Sequence, residues 1–247
     1  MAKKFKDYYD LDCAVLLADK IKAVWPDFNK TGFAAMLKDE LPDKEFMERQ
    51  DAFVDAFEVY MPDDYEETVS IFHQILGPEL ETTTGMFAVG WWLWPVGRYI
   101  ERHGSKDFLL SVNFIYELTK RFTGEFAIRP IIEKWPVEAF TVIKEWSKDS
   151  NVHVRRLASE GLRIRLPWAK KSIAALEYFD DYKDVLSNLK SDPEKFVQKS
   201  VGNNLNDLVK EFPDKAKEII TDWQQDNPTK ETLWIIKHGL RSGKLDV

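Results

Sequence analysis

The second half of the chain repeats itself, and that repeat restricts the fold more than any other feature. Ile132-Glu-Lys-Trp-Pro leads into an apolar-periodic stretch from Val137 to Trp146, a polar break Ser-Lys-Asp-Ser-Asn, and a second stretch from Val152 to Gly161. Lys210-Glu-Phe-Pro leads in the same way into Asp214 to Trp223, then Gln-Gln-Asp-Asn-Pro, then Glu231 to Gly239. Between them lies a weaker copy, Asp180 to Leu189, then Lys-Ser-Asp-Pro, then Glu194 to Gly202. Pro136 and Pro213 each stand ten positions before a tryptophan, Trp146 and Trp223, and the three closing glycines are spaced by 41 and 37. Helix pairs with a period near forty are the pattern of HEAT-like repeats, in which each pair has one apolar face that only a neighbouring pair can cover. The expected fold is therefore all-α, a HEAT-like repeat α-solenoid with a concave, partly basic groove lined by the second helix of each pair.

The upstream half is also helical in period. Leu11, Val15, Leu16, Ala18 and Ile21 make one apolar stripe that ends near Trp25-Pro26. Further helices are expected over Thr31 to Leu41, Glu45 to Tyr60 and Asp63 to Leu76, the last broken by Gly77-Pro78. Gly85 to Tyr99 carries Phe87, Trp91, Trp92, Trp94 and Tyr99, which are expected in the core. Lys106 to Arg121 and Glu125 to Lys134 follow as two helices joined at Thr123-Gly124. No stretch alternates with period two for long enough to suggest a sheet, and no Gly/Ser linker divides the chain. One domain over 1–247 is expected, with acidic N-terminal helices in 1–120 and the repeats in 121–247.

Charge sharpens this division. Residues 121–171 hold 11 Lys+Arg against 6 Asp+Glu, whereas residues 38–70 hold 12 acids against 3 bases. Arg155, Arg156, Arg163 and Arg165 fall within eleven positions. A basic stripe on a chain of net charge −7 marks either an anion or nucleic-acid surface, or a solvated ion-paired helix face. The net charge itself argues against indiscriminate coating of DNA, which needs a broad cationic surface. The single Cys13 excludes an intramolecular disulfide framework and a Cys-rich zinc site, and fits a reducing cytoplasm. His73, His103, His153 and His238 lack metal-ligand spacing, and His153 reads as a loop cap. No cofactor or metal is expected. The longest apolar run, from Gly85 to Gly97, is too short to span a bilayer. A bacterial cytoplasmic or nucleoid protein is expected, a monomer because a groove on one chain can hold a duplex.

Two stretches carry a more specific signal. Tyr116-Glu-Leu-Thr-Lys-Arg-Phe-Thr-Gly-Glu-Phe-Ala-Ile-Arg-Pro130 and His153-Val-Arg-Arg-Leu-Ala-Ser-Glu-Gly-Leu-Arg-Ile-Arg-Leu-Pro-Trp168 place carboxylates among arginines inside apolar helical patterns. Together with Ser200-Val-Gly-Asn-Asn-Leu-Asn-Asp207 and Lys237-His-Gly-Leu-Arg241, they resemble the AlkC family of HEAT-like repeat glycosylases for alkylated DNA, within the wider AlkC/AlkD group. The family usually has a proline where this chain has Ile164. Some members carry an immunoglobulin-like domain after the repeats; the chain ends before one, and the DNA contacts it would supply are expected to be missing.

The resemblance implies a DNA glycosylase that excises cationic N3-alkylated bases from double-stranded DNA, chiefly 3-methyladenine with 3-methylcytosine as a further candidate, without flipping the base. Glu125, Glu160 and Asp207 match the family's acids, and Trp168 and Phe126 match aromatic positions against the lesion. Arg129, Arg155, Arg156, Arg163, Arg165, Lys237 and Arg241 match DNA-binding positions. Each has a plainer reading beside it. Glu160 pairs with Arg156 at helical spacing, Glu125 caps a helix after Thr123-Gly124, Asp207 binds a backbone amide or Lys210, and Trp168 packs between repeats.

The chemistry agrees with the residue types. Alkylation at N3 makes the base a cation that leaves as a neutral molecule, so little general-acid help is needed. Positive charge then develops on the sugar, and carboxylates beside C1′ stabilise it and orient a water. The competing expectation is a non-catalytic HEAT-repeat scaffold that binds nucleic acid or protein through the same surface.

Overall fold

The computed structural model describes residues 3–84 and 86–243; Gly85, where the apolar run begins, lies outside them. Every regular element among the described residues is helical. The contacts divide the chain into two compact units, Met1–Pro130 and Ile131–Val247.

The first unit holds α1 (Leu11–Val24), α2 (Lys30–Glu40), α3 (Phe46–Tyr60), α4 (Tyr65–Ile75), α5 (Trp94–His103) and α6 (Phe108–Thr119). Their starts are written in the sequence. Asp10, Asn29, Asp64 and Asp107 each cap a helix by accepting backbone N–H groups, and Glu45 with Glu48 forms a capping box. Pro95 enters the first turn of α5, where its missing N–H costs nothing. Helix α1 packs on α2 and α4, α3 on α2 and α5, and α6 on α4 and α5. The core between them is aromatic: Phe57 meets Phe72 at 5.0 Å and Phe72 meets Tyr99 at 5.2 Å between ring centroids.

The aromatic run is only partly core. Trp94 is buried against Phe46 (4.7 Å) and Phe126 (5.3 Å). Trp91 and Trp92 are half-buried, and Phe87 is 47% exposed. Segment 86–90 folds as turns that cannot bury every ring, and the Lys20 ammonium lies 4.4 Å over the Trp92 ring. The acidic charge of α3 is spent locally: Asp51, Asp55 and Glu58 pair with Arg98, Arg102 and His103 on α5.

Helix α7 (Ile128–Lys134) runs through the boundary, and the second unit follows with α8 (Pro136–Trp146), α9 (Val152–Glu160), α10 (Ala174–Glu177), α11 (Phe179–Leu189), α12 (Lys195–Glu211), α13 (Pro213–Gln225) and α14 (Lys230–Gly239). In chain order these are the three expected pairs, α8/α9, α11/α12 and α13/α14. Helix α8 packs on α9 and α11 on α12, while α13 and α14 both pack on α12, which also packs on α9. Pro136 and Pro213 occupy first-turn positions, and the tryptophans ten residues on are buried.

The three glycines are not equivalent. Gly161 ends α9 and Gly239 ends α14, but Gly202 lies inside α12, which continues to Glu211 because Leu205, Leu208 and Val209 keep its buried face apolar. A Cβ on Gly202 would stand 2.7 Å from His238 Cδ2, and one on Gly239 would stand 2.6 Å from Leu205 Cβ. Both glycines allow α12 and α14 to approach closely. Similar spacing thus arises from two different needs.

Candidate active site

Helix α9 ends on Glu160, whose carboxylate is 5% exposed. Its Oε1 accepts from Arg163 Nη1 at 2.9 Å and lies 3.4 Å from Arg156 Nη2. Its Oε2 accepts from the Ser200 hydroxyl at 2.6 Å. Arg156 and Glu160 share a face because they are four apart on a helix. Arg163 returns to the same carboxylate because the chain turns tightly after α9, with Arg163 N donating to Glu160 O at 3.2 Å.

Arg163 does more than pair with its neighbour. Its Nε donates to Asp207 Oδ2 at 3.0 Å and its Nη2 to Asp207 Oδ1 at 3.3 Å. One guanidinium therefore holds Asp207 with a two-toothed fork and Glu160 with a third donor. Asp207, 4% exposed on α12, also accepts the Arg165 backbone N–H at 3.3 Å. The backbone-amide reading of Asp207 is thus satisfied by Arg165, alongside the ion pair with Arg163.

Burial by itself would push the Glu160 carboxyl up. Arg156, Arg163 and the Ser200 hydroxyl more than offset that and hold it below the usual carboxylate range. Burial pulls the Arg163 guanidinium down, and Glu160 with Asp207 raises it above its ordinary value. Glu160 is therefore an anion at neutral pH, and both carboxylates are buried.

The loop that carries Arg163 is pinned by alternation. Leu162, Ile164 and Leu166 are buried, while Arg165 and Trp168 are exposed. Ile164, at the position where the resembled family has proline, is fully buried, and its carbonyl accepts from Ser172 N at 3.2 Å. Trp168 stands at φ 62° with its side chain 62% exposed. A bulky residue in the left-handed region carries strain of about 1–3 kcal/mol, and such strain is concentrated where a side chain has to be aimed.

The remaining expected residues take different places. The Arg155 guanidinium is bound to Asp192 at 2.6 Å and to the carbonyls of Asp149 and Ser150, which ties α9 to the turns before α9 and α12. Arg156 lies 5.3 Å over the Phe196 ring. Arg165 pairs with Glu211, as does Lys171. Lys237 is exposed on α14. Arg241 donates to His238 O at 2.6 Å and Asn203 Oδ1 at 2.9 Å, and its guanidinium is lowered by burial and by Arg163. In the first unit, Glu125 and Phe126 lie in the turn before α7 and Arg129 in its first turn; all three are buried. His153 is not the cap it was expected to be. Asn151 caps α9, accepting from His153 N and Val154 N, and the buried His153 ring packs on Phe196.

Sequence reasoning placed Asn204 on the same side as Glu160 but gave no role to Ser159, Ser200 and Tyr182, which are buried with it in one hydrogen-bonded cluster that reaches Glu160. The signal was present in the spacing: Ser200, Asn204 and Asp207 are i, i+4 and i+7, one face of one helix. Among the described residues, no group of three or more His, Cys, Asp or Glu is placed to hold a metal ion, and no helix is long and apolar enough to cross a membrane.

Residues 125–241 match the family model described as DNA alkylation repair enzyme. The chain is 31% identical over 238 residues to the protein YhaZ of Bacillus subtilis (strain 168), covering 96% of this chain and 64% of that protein. Among solved structures it is similar to the Pseudomonas fluorescens alkylpurine DNA glycosylase AlkC bound to DNA containing an abasic-site analogue. The TM-score there is 0.84 at 30% identity, over 98% of this chain and 65% of that one. AlkD2 from Streptococcus mutans shares the fold, with a TM-score of 0.52 at 23% identity over 87% of this chain and 99% of that one. The chain thus spans just under two thirds of the length of YhaZ and of AlkC.

Proposed function

We propose that this chain, which belongs through residues 125–241 to the family of DNA alkylation repair enzymes, is a DNA glycosylase that releases cationic N3-alkylated bases, foremost 3-methyladenine, from duplex DNA. The observation that carries the reading is the Glu160–Arg163–Asp207 cluster. Two buried carboxylates share one guanidinium, and Glu160 is held below the ordinary carboxylate range.

That electrostatic state selects a reaction. A carboxyl that stays ionised at neutral pH is a poor proton donor, so it cannot protonate a neutral leaving base. An N3-alkylated base needs no such proton. Its glycosidic bond breaks with the electron pair going to the base, which departs neutral, and the sugar becomes an oxocarbenium ion. Fixed carboxylates in a dry site stabilise that cation without reorganising. A water then adds through its oxygen to C1′ and passes its proton to a carboxylate or to solvent. Glu160 and Asp207 take this catalytic role, and Glu125 is assigned to it on the family's pattern. Trp168 and Phe126 are assigned to the lesion. An exposed indole attracts a cationic base through its face, worth about 1–2 kcal/mol. Excision without flipping is assigned on the family's pattern.

Phosphate contacts are assigned to Arg156, Arg165, Lys237 and Arg241, with Arg129 and Arg155 as supports. Lys237→Ala is expected to flatten the slope of log Kd against log salt by about one and to weaken binding alike on all sequences. A titration of binding between low and moderate salt reads this directly.

The deciding experiment incubates excess protein with a duplex containing 3-methyladenine and measures free base by mass spectrometry. Release above the spontaneous rate is expected. Tight salt-dependent binding with no release would move the chain to the class of non-catalytic repeat scaffolds.

A further inference from the structure

We infer that Ser200 is a positioning residue for Glu160, the end of a one-way hydroxyl relay from Ser159 that holds one carboxylate oxygen in place. The inference rests on the catalytic role proposed for Glu160.

The direction of the relay follows from proton counting. Each serine hydroxyl has a single proton, and an ionised carboxylate can only accept. Ser200 Oγ lies 2.6 Å from Glu160 Oε2, so its proton is committed there. In the 2.7 Å contact between Ser159 Oγ and Ser200 Oγ, Ser159 must then be the donor. The carbonyl of Arg156, 3.0 Å from Ser159 Oγ, is the longer of Ser159's two acceptors. The bonds therefore run Ser159 to Ser200 to Glu160, each polarising the next toward the negative charge.

The relay is anchored behind. Asn204 Nδ2 donates to the carbonyls of Ser159 at 2.9 Å and Ser200 at 3.1 Å, bracing α9 against α12. Tyr182 on α11 donates to Asn204 Oδ1 at 3.1 Å and so fixes which way the amide faces. Ser159, Ser200, Asn204 and Tyr182 are each at most 2% exposed, so water does not compete for these bonds. On the other side of the carboxylate, Arg156 and Arg163 both approach Oε1. Arginines alone would leave the carboxylate free to turn about its terminal torsion, which is broad. Ser200 holds Oε2 and removes that freedom. Around Glu160 the charged and titratable groups are Arg156 and Arg163 from its own helix and turn, Asp207 from α12 through Arg163, and Tyr182 from α11.

The test compares Ser200→Ala with wild type in two backgrounds, native and Glu160→Gln. Ser200→Ala is expected to lower the single-turnover release rate about 10–100-fold, the weight of one charge-assisted bond, with duplex affinity unchanged. Ser200→Thr, which keeps the hydroxyl, is expected to recover most of that rate. In the Glu160→Gln background the further loss should be under about twofold, because Ser200 acts through Glu160. A second readout needs no activity. A carboxylate held low contributes stability that is present above its unfolded value and lost as pH falls through its folded value. The melting difference between wild type and Ser200→Ala should therefore be largest at neutral pH, shrink on acidification, and be flat with pH in the Glu160→Gln background. If wild type releases no base, the glycosylase reading fails while the melting series still decides the relay. Should Ser200→Ala not fold, Ser200→Cys, of similar volume and weaker as a donor, carries the same comparisons. An unchanged release rate, an equal effect in both backgrounds, or a melting difference that ignores pH would overturn the inference.

Discussion

Glu160→Gln is expected to slow release of 3-methyladenine about 10²–10³-fold in single-turnover assays while leaving duplex affinity within about twofold. Glutamine keeps the shape, but its single amide oxygen can accept from Arg163 or from Ser200 and not from both, because they use different carboxylate oxygens. The substitution therefore removes the charge and one of these two bonds. The charge matters only when the sugar becomes cationic, which is why the loss belongs in the rate and not in Kd. The measurement is a rate against enzyme concentration on a duplex with one lesion. Equal loss in affinity and rate would mean that Glu160 only shapes the binding surface. A rate unchanged from wild type would remove Glu160 from the chemistry. The residual activity should come from Asp207, whose fork to Arg163 does not involve Glu160.

Arg163→Met is expected to be the most destabilising change in the second unit, by about 3–5 kcal/mol at neutral pH. Methionine fills similar volume, so the loss is electrostatic: two buried carboxylates lose the cation they share. The sign of the pH dependence separates this from a packing defect. With Arg163 in place, Glu160 sits below the ordinary range and favours the fold above that range. Without it, only Arg156 and Ser200 offset burial at Glu160, so its folded carboxyl moves up toward protonation. The penalty is then largest at neutral pH and is relieved as the pH falls. Urea unfolding at pH 7.5 and near pH 5 should show the gap to wild type narrowing. A gap that widens or stays constant would assign the loss to packing of the 161–173 loop.

Much of this fold was legible because helices declare themselves locally. A 3.6-residue apolar period, a proline at the first turn and a capping Asp or Asn are all read within one element. The three helix pairs of the second unit followed directly. What failed were inferences that need to know what lies opposite. Gly161 and Gly202 looked alike by spacing, yet one ends a helix and the other faces the His238 ring. Trp91 and Trp92 looked like core because aromatic residues usually are, but the short 3-10 helix Trp91–Leu93 leaves them half-buried.

The site shows the same limit. Glu160 and Arg156 were visible as a helical pair. That Arg163 would reach Asp207 was not, because 44 residues separate them. Neighbouring arginines illustrate the point further: Arg155 and Arg156 are adjacent in sequence, but helical geometry points one at Asp192 and the other at Glu160. Charge patterning locates the arginines and cannot distribute them.

At Gly202 and Gly239, two absent side chains fix the register of α14 against α12. A helix seated this way cannot slide by a residue without driving a β-carbon into its neighbour. The cations it carries, Lys237 and, just past its end, Arg241, are thereby held at set heights along the chain. Redesign of this protein can accordingly vary the outward charges of α14 at little cost to folding, whereas adding even one methyl to its inner side would shift every one of them at once.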